Sequence, residues 1–316
     1  MKTINQFLSV VMIACLPVSA ALAAEQVRDY PVSKIAPHTY VIHGPLAYPS
    51  AENQGFMNNP GFVVTQAGVV LVDPGSSVQA GRMVLKQIRS VTKKPVTHVF
   101  NTHVHGDHWL GNQAVIEAYP KAKLLAHPAM IEKLKEGEGE QWVKMMDNLT
   151  GGYTKGTRVV PPTVLAADSS VFKTGGMTFR IYAPENAHSK TDIMIEAVED
   201  SVIFTGDNVF NQIVGRLVDG SFAGSIAACD KIIAVKAKHY VPGHGPTGDV
   251  RVVQQFRDYL ATLYGTVKQQ YALGKADFEM KDFVVAKLKP YQNWNRFTME
   301  IGPLISQAVL EVEQAM

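Results

Sequence analysis

The stretch Asn101-Thr-His-Val-His-Gly-Asp-His-Trp-Leu-Gly-Asn112 decides how this chain is read. His103, His105 and His108 crowd together here, with Asp107 among them, in a chain that has only ten histidines. On an extended or loop backbone, residues two apart point the same way, so His103 and His105 offer two imidazoles to one ion. A turn at Gly106 carries Asp107 and His108 toward a second position nearby. Imidazole with carboxylate suits zinc, and iron or manganese are compatible with the same donors. A polar, histidine-rich surface loop is the plain alternative. The cluster, however, follows directly on the buried-type strand expected over 96–100, and strand ends opening into loops are where α/β proteins build sites.

Three later residues share that context of a short apolar strand, a glycine or turn, then a donor. His188 lies in Glu185-Asn-Ala-His-Ser-Lys-Thr-Asp192, Asp207 closes Val202-Ile-Phe-Thr-Gly-Asp207, and His244 sits in Tyr240-Val-Pro-Gly-His-Gly-Pro246. Each is weak alone, because a lone histidine is more often structural than ligating.

Further out, short strands alternate with helices. Strands are expected over 39–43, 61–73 (with a turn at 66–68), 96–100, 123–126, 171–172, 177–183, 192–198, 201–205 and 239–241. Helical patterns cover 77–91, 109–118, 128–149 and 225–237, and Asp249 caps a long helix that stops at Gly274. No linker separates the two β-rich halves, which points to one four-layer α/β sandwich.

The chain has 316 residues and a formal net charge of +2, with no basic run, so a nucleic-acid partner is not expected. Its first two dozen residues differ from the rest: Lys2, an apolar stretch over 7–18, then Ala21-Leu22-Ala23. Those are the three parts of a secretory signal peptide, over residues 1–24, and the apolar run is too short for a stable membrane span. Met12-Ile13-Ala14-Cys15 loosely resembles a lipobox, but the later Ala-x-Ala fits better. The expected mature chain, 25–316, is periplasmic or secreted, not stably inserted in a membrane, and keeps Cys229 without a disulfide partner. It ends in a helical extension, and its oligomeric state is left open.

The order H-x-H-x-D-H, a distant His, F-T-G-D and P-G-H-G resembles the metallo-β-lactamase superfamily, over about residues 41–248. The resemblance implies an αββα sandwich and two metal ions, zinc foremost. It puts His103, His105 and His188 on the first ion, Asp107, His108 and His244 on the second, and Asp207 between them. Asp73, in Val70-Val-Leu-Val-Asp73, matches an acidic residue that supports the metal loop from behind. A zinc-bound water has its pKa lowered from 15.7 to about 7, giving a hydroxide nucleophile at neutral pH. Asp107 is the expected catalytic carboxylate, orienting that nucleophile and accepting its proton.

Within the superfamily, His108 together with Asp207 is similar to glyoxalase II, whereas common zinc β-lactamases place a cysteine at the latter position. Export argues against a glutathione thioesterase and against the tRNA-processing branch. The segments around 204–211, 220–230 and 241–246 are similar to exported metallohydrolases associated with sulfur oxidation and quinoprotein systems. The expected activity is hydrolysis of an ester, thioester or amide in a small molecule. β-Lactam hydrolysis and iron-dependent redox chemistry of the sulfur dioxygenase type are the alternatives. For substrate contacts, the loop 44–60 resembles a flap and holds Tyr48, Asn53, Phe56, Met57 and Asn58, Tyr48 and Phe56 foremost, while Asn208, Asn211 and Arg216 follow the bridging aspartate.

Overall fold

The computed structural model describes residues 27–315. The expected signal peptide therefore lies outside the described residues. Two sheets form the centre. The first has seven strands in sequence order: β1 Val32–Lys34, β2 Thr39–Ile42, β3 Gly61–Val64, β4 Val69–Val72, β5 Val96–Phe100, β6 Lys123–Ala126 and β7 Val164–Leu165. The second contains β8 Val171–Thr174, β9 Met177–Tyr182, β10 Met194–Ala197, β11 Val202–Phe210 and β12 His239–His244. Its order is β12-β11-β10-β9-β8.

The alternation of strand side chains explains the layering. Val70 and Val72 of β4 join Val41, Val63, Phe100 and Leu125 in packing against Phe179, Ile195, Val202 and Phe204 of the second sheet. Their neighbours Val69 and Leu71 point the other way, toward Val84 and Ile88 of helix α1 Val78–Val91. Ile203 of β11 likewise turns outward, onto a cluster that holds Phe222, Phe256 and Leu263. A strand buried on both faces must be apolar throughout, which is why β4 reads Val-Val-Leu-Val. The result is helix, sheet, sheet, helix, as the sequence led us to expect.

Eight further helices complete the layers. They are α2 Gly106–Trp109, α3 Asn112–Ala118, α4 Pro128–Lys135, α5 Glu138–Leu149, α6 Phe222–Ile233, α7 Val250–Ala272, α8 Asp277–Lys287 and α9 Phe297–Gln314. Ser77 caps α1 by accepting from Ala80 N, and Asp249 caps α7 by accepting from Arg251 N. The C-terminal helices share one apolar cluster with the second sheet, through Val284, Ile301, Leu304 and Ala308. Among the described residues, no helix is long and apolar enough to cross a membrane.

Several boundaries differ from expectation. The helix expected over 109–118 is two pieces, because the chain turns at Leu110 and Gly111 to meet the 74–75 segment. The strand expected to stop at 205 runs on to Phe210, its register with β12 shifting on both sides of Gly206. The helix expected over 225–237 starts and ends earlier, capped at Ser221.

Candidate metal centre

Parallel strands β4, β5 and β6 end on one edge of the sandwich, and so do β11 and β12. The donors identified in the sequence come from those ends and from the loop before β10. They gather in two groups: His103, His105, His188 and Asp207, and Asp107, His108 and His244. Within each group the donor atoms lie within 4.8 Å of one another, and every residue is buried.

Asp207 faces both groups. Its Oδ1 is 3.2 Å from His108 Nε2 and 3.4 Å from His244 Nε2. Its Oδ2 is 3.6 Å from His188 Nε2 and 3.9 Å from His103 Nε2. Gly243 on β12 makes that position available, since a Cβ there would overlap Asp207 Oδ1. On the other side, Asp107 Oδ2 is 3.2 Å from His244 Nε2 and 3.4 Å from His108 Nε2.

The outer ring nitrogens of His108, His244 and His105 are fixed by neighbours. Asp73 accepts from Thr102 N at 2.8 Å and Thr102 Oγ1 at 2.7 Å, and its Oδ2 stands 2.8 Å from His108 Nδ1. Because a carboxylate only accepts, His108 Nδ1 carries the proton and Nε2 is left as the donor atom. Asp73 itself holds φ +52, a left-handed conformation that turns its carboxylate under the loop. Met57 O does the same for His244 Nδ1 at 3.0 Å, and Asp219 Oδ2 for His105 Nε2 at 2.8 Å. His105 therefore presents Nδ1, 3.0 Å from His188 Nε2.

These donors fit divalent cations. His103 Nε2 and Asp207 Oδ1 are buried without a hydrogen-bond partner among the described residues, a costly arrangement unless another group satisfies them. The electrostatics agree. Burial works against ionisation of Asp107 and Asp207, yet the imidazoles of His108 and His244 hold both well below the usual carboxylate range. Burial also opposes charge on His244, but Asp207 and Asp107 together raise its pKa to about 9. His188 goes the other way, pushed down to about 3 chiefly by burial.

A cavity of about 340 Å³ opens over the two groups, lined by His105, Asp107, His188, Asp207 and His244 at its floor. Of the residues expected as substrate contacts, Tyr48 and Arg216 line it. Three other expected contacts do not. Phe56 is fully buried against Tyr30 in the core beneath the first sheet, and its neighbour Met57 faces the cavity instead. Asn208 and Asn211 are buried, their amides donating to Thr205 O and Pro246 O. The loop 44–60 is also less free than a flap, because Asn59 donates to Pro242 O and Gly245 O while Asn58 donates to Asp73 O.

Sequence reasoning missed Asp219, Trp142 and Arg296. Trp142 lies 5.0 Å from the His105 ring and against Gly106, where a Cβ would meet its side chain. Trp142 was legible only as one position on an amphipathic helix. Asp219 and Arg296 sit in turns with no motif around them.

Comparison with known proteins agrees with this geometry. A family model described as the metallo-beta-lactamase superfamily matches residues 53–244. A probable metallo-hydrolase of Streptococcus pyogenes is 25% identical over 198 residues, 60% of this chain and 79% of that protein. A hydroxyacylglutathione hydrolase of Nitrosococcus oceani is 28% identical over 134 residues, 42% of this chain but only 41% of the relative. Among solved structures, a metallo-beta-lactamase from Pontibacter korlensis superposes with a TM-score of 0.58 at 22% identity, covering 73% of this chain and 99% of that one. That last likeness is one of fold.

Proposed function

The chain belongs to the metallo-beta-lactamase superfamily, and from that premise we propose that it is an exported hydrolase that holds two zinc ions and cleaves an ester, thioester or amide bond. The observation that carries this reading is the Asp207 carboxylate, with one oxygen turned to each donor group. His103, His105 and His188 would hold one ion, Asp107, His108 and His244 the other, and Asp207 would span them. When bound, the metal supplies Lewis acidity and a water acidic enough to act as nucleophile near neutral pH.

The chain's own groups do the rest. Asp107, held ionised by His108 and His244, accepts a hydrogen bond from the attacking water and orients it. Asp73, Asp219 and Met57 O keep three imidazoles in the tautomers that leave lone pairs facing inward. The name of the Nitrosococcus relative supports the thioester as one of the three bond types. Export rests on the N-terminal pattern of Lys2, the apolar run and Ala21-Leu22-Ala23.

A panel of activated esters, thioesters and amides, lactams included, tests the activity. Turnover of at least one class, lost with a chelator and restored by zinc, is expected. Absence of chelator-sensitive turnover across the panel contradicts the reading.

A further inference from the structure

We propose that the site selects substrates carrying an anionic group (carboxylate or sulfate) on an apolar body, and that Arg296, from outside the family-matched region, is the residue that binds the anion. This rests on the hydrolase reading above and adds the substrate class to it. The family match ends at residue 244, yet Arg296 lines the same cavity as Asp107, Asp207 and His244. Its placement is fixed by the backbone. Asn295 N donates to Gln212 O, and Val214 N donates to Asn295 O, so the turn before α9 is laced to the segment that follows β11. Arg296 itself holds φ +66, a left-handed conformation uncommon for a residue with a side chain, and such conformations gather at functional sites.

Its guanidinium is short of partners. The cation lies 3.7 Å from the centroid of the Tyr48 ring and donates Nη2 to Ala47 O. Nε is buried without a hydrogen-bond partner, and no ion pair is formed with Arg296 among the described residues. Burial lowers its pKa to about 10, while Asp107 and Asp207 pull the other way. Arg216 stands 5.5 Å from the same ring, but its Nε is engaged by both oxygens of the buried Glu300 at 3.2 Å. Of the two guanidiniums at this ring, only Arg216 is paired with a carboxylate among the described residues. With Asp107 and Asp207 committed to the metal ions, Arg296 is left as positive charge at the cavity wall that an oxyanion would neutralise. A guanidinium's planar fork suits carboxylate and sulfate alike. Much of the remaining lining is apolar: Trp142, Met145, Leu149 and Val218 line the cavity, and the last three are exposed. A buried cation and exposed apolar side chains in one cavity describe the lining an amphipathic anion would need.

The test is equilibrium binding to the zinc-loaded full protein, followed by tryptophan fluorescence and calorimetry. The probes are octanoate, octyl sulfate, octanol and octyltrimethylammonium, on wild type, Arg296→Gln and Arg296→Lys. Wild type is expected to bind both anions at least about tenfold more tightly than octanol, as a charge-assisted hydrogen bond implies. Arg296→Gln should erase that preference, leaving octanol binding unchanged, and Arg296→Lys should keep part of it. The tighter of octanoate and octyl sulfate names the anionic group. If neither variant folds, protection of Arg296 from phenylglyoxal by the anions decides the question, read by mass spectrometry. Octanol binding as tightly as the anions, unchanged anion binding in a folded Arg296→Gln, or no protection overturns the inference. Arg296-dependent anion binding without turnover on any ester, thioester or amide would retain it while removing the hydrolase reading.

Discussion

Asp219 Oδ2 lies 2.8 Å from His105 Nε2, so the carboxylate of a turn far along the chain sets which nitrogen of the central histidine motif faces inward. His105 thereby differs from His103, His108, His188 and His244, which turn Nε2 toward the donor groups. Replacing Asp219 with Asn removes the charge but keeps the shape. Because the Asp219 side chain is 43% exposed, zinc affinity should fall by about tenfold, the lower end for such supporting partners. Competitive titration with a chromophoric chelator measures it.

Gly243 gives a sharper test of the bridging carboxylate. A Cβ at this position occupies the space of Asp207 Oδ1. Gly243→Ala should therefore push Asp207 aside and reduce bound zinc below two per chain, with affinity weakened by more than ~100-fold, beyond what a lost supporting contact costs. The same Cβ also meets the backbone of Gly206 at 2.8 Å, so circular dichroism is needed beside the metal count to show that the sandwich is retained.

Zinc binding should release protons. Asp207 and Asp107 raise His244 to about 9, so at neutral pH a proton sits where a metal would take the lone pair. Affinity should therefore rise with pH from 6 toward 9 and flatten above it. Calorimetry in buffers of different ionisation enthalpy reads the proton count, and a pH-independent affinity over that range would refute the assignment of His244.

Away from the site, Asp200 ties the β10–β11 turn to the start of β2. It accepts from His38 N at 2.8 Å, His38 Nδ1 at 2.9 Å and Thr39 Oγ1 at 2.6 Å. Burial opposes its charge, but these hydrogen bonds from Thr39 and His38 lower its pKa below the ordinary value. A depressed carboxylate stabilises the fold above its unfolded pKa of about 3.9, and that contribution fades as pH falls through the lower folded value. Asp200→Asn should cost about 1–3 kcal/mol at neutral pH, as loss of a charged acceptor does, and flatten the acid limb of a stability–pH curve. Urea melts between pH 2.5 and 7 measure both.

Much of this was legible in the sequence, for physical reasons. The strands at 96–100 and 123–126 were readable because their ends nearest the site, Val99-Phe100 and Leu124-Leu125-Ala126, are buried and apolar. The seven candidate donors were readable because His and Asp stand in short motifs beside apolar strand sequence. Substrate contacts were not. Phe56 and Met57 are adjacent and apolar, and only the path of the pinned loop decides which one faces the cavity. Asn208 and Asn211 looked free because Gly206 suggested a strand end, whereas β11 continues and spends their amides on backbone carbonyls. Asp219 and Arg296 reach the centre by tertiary packing alone, which no local pattern encodes.

The central claim is that seven side chains hold two zinc ions, and metal content tests it most directly. Elemental analysis of mature protein purified without added metal should give close to two zinc per chain, falling to one or fewer in Asp207→Ala. One iron per chain with little zinc would contradict the account and point instead to oxygen-dependent chemistry at the same donors.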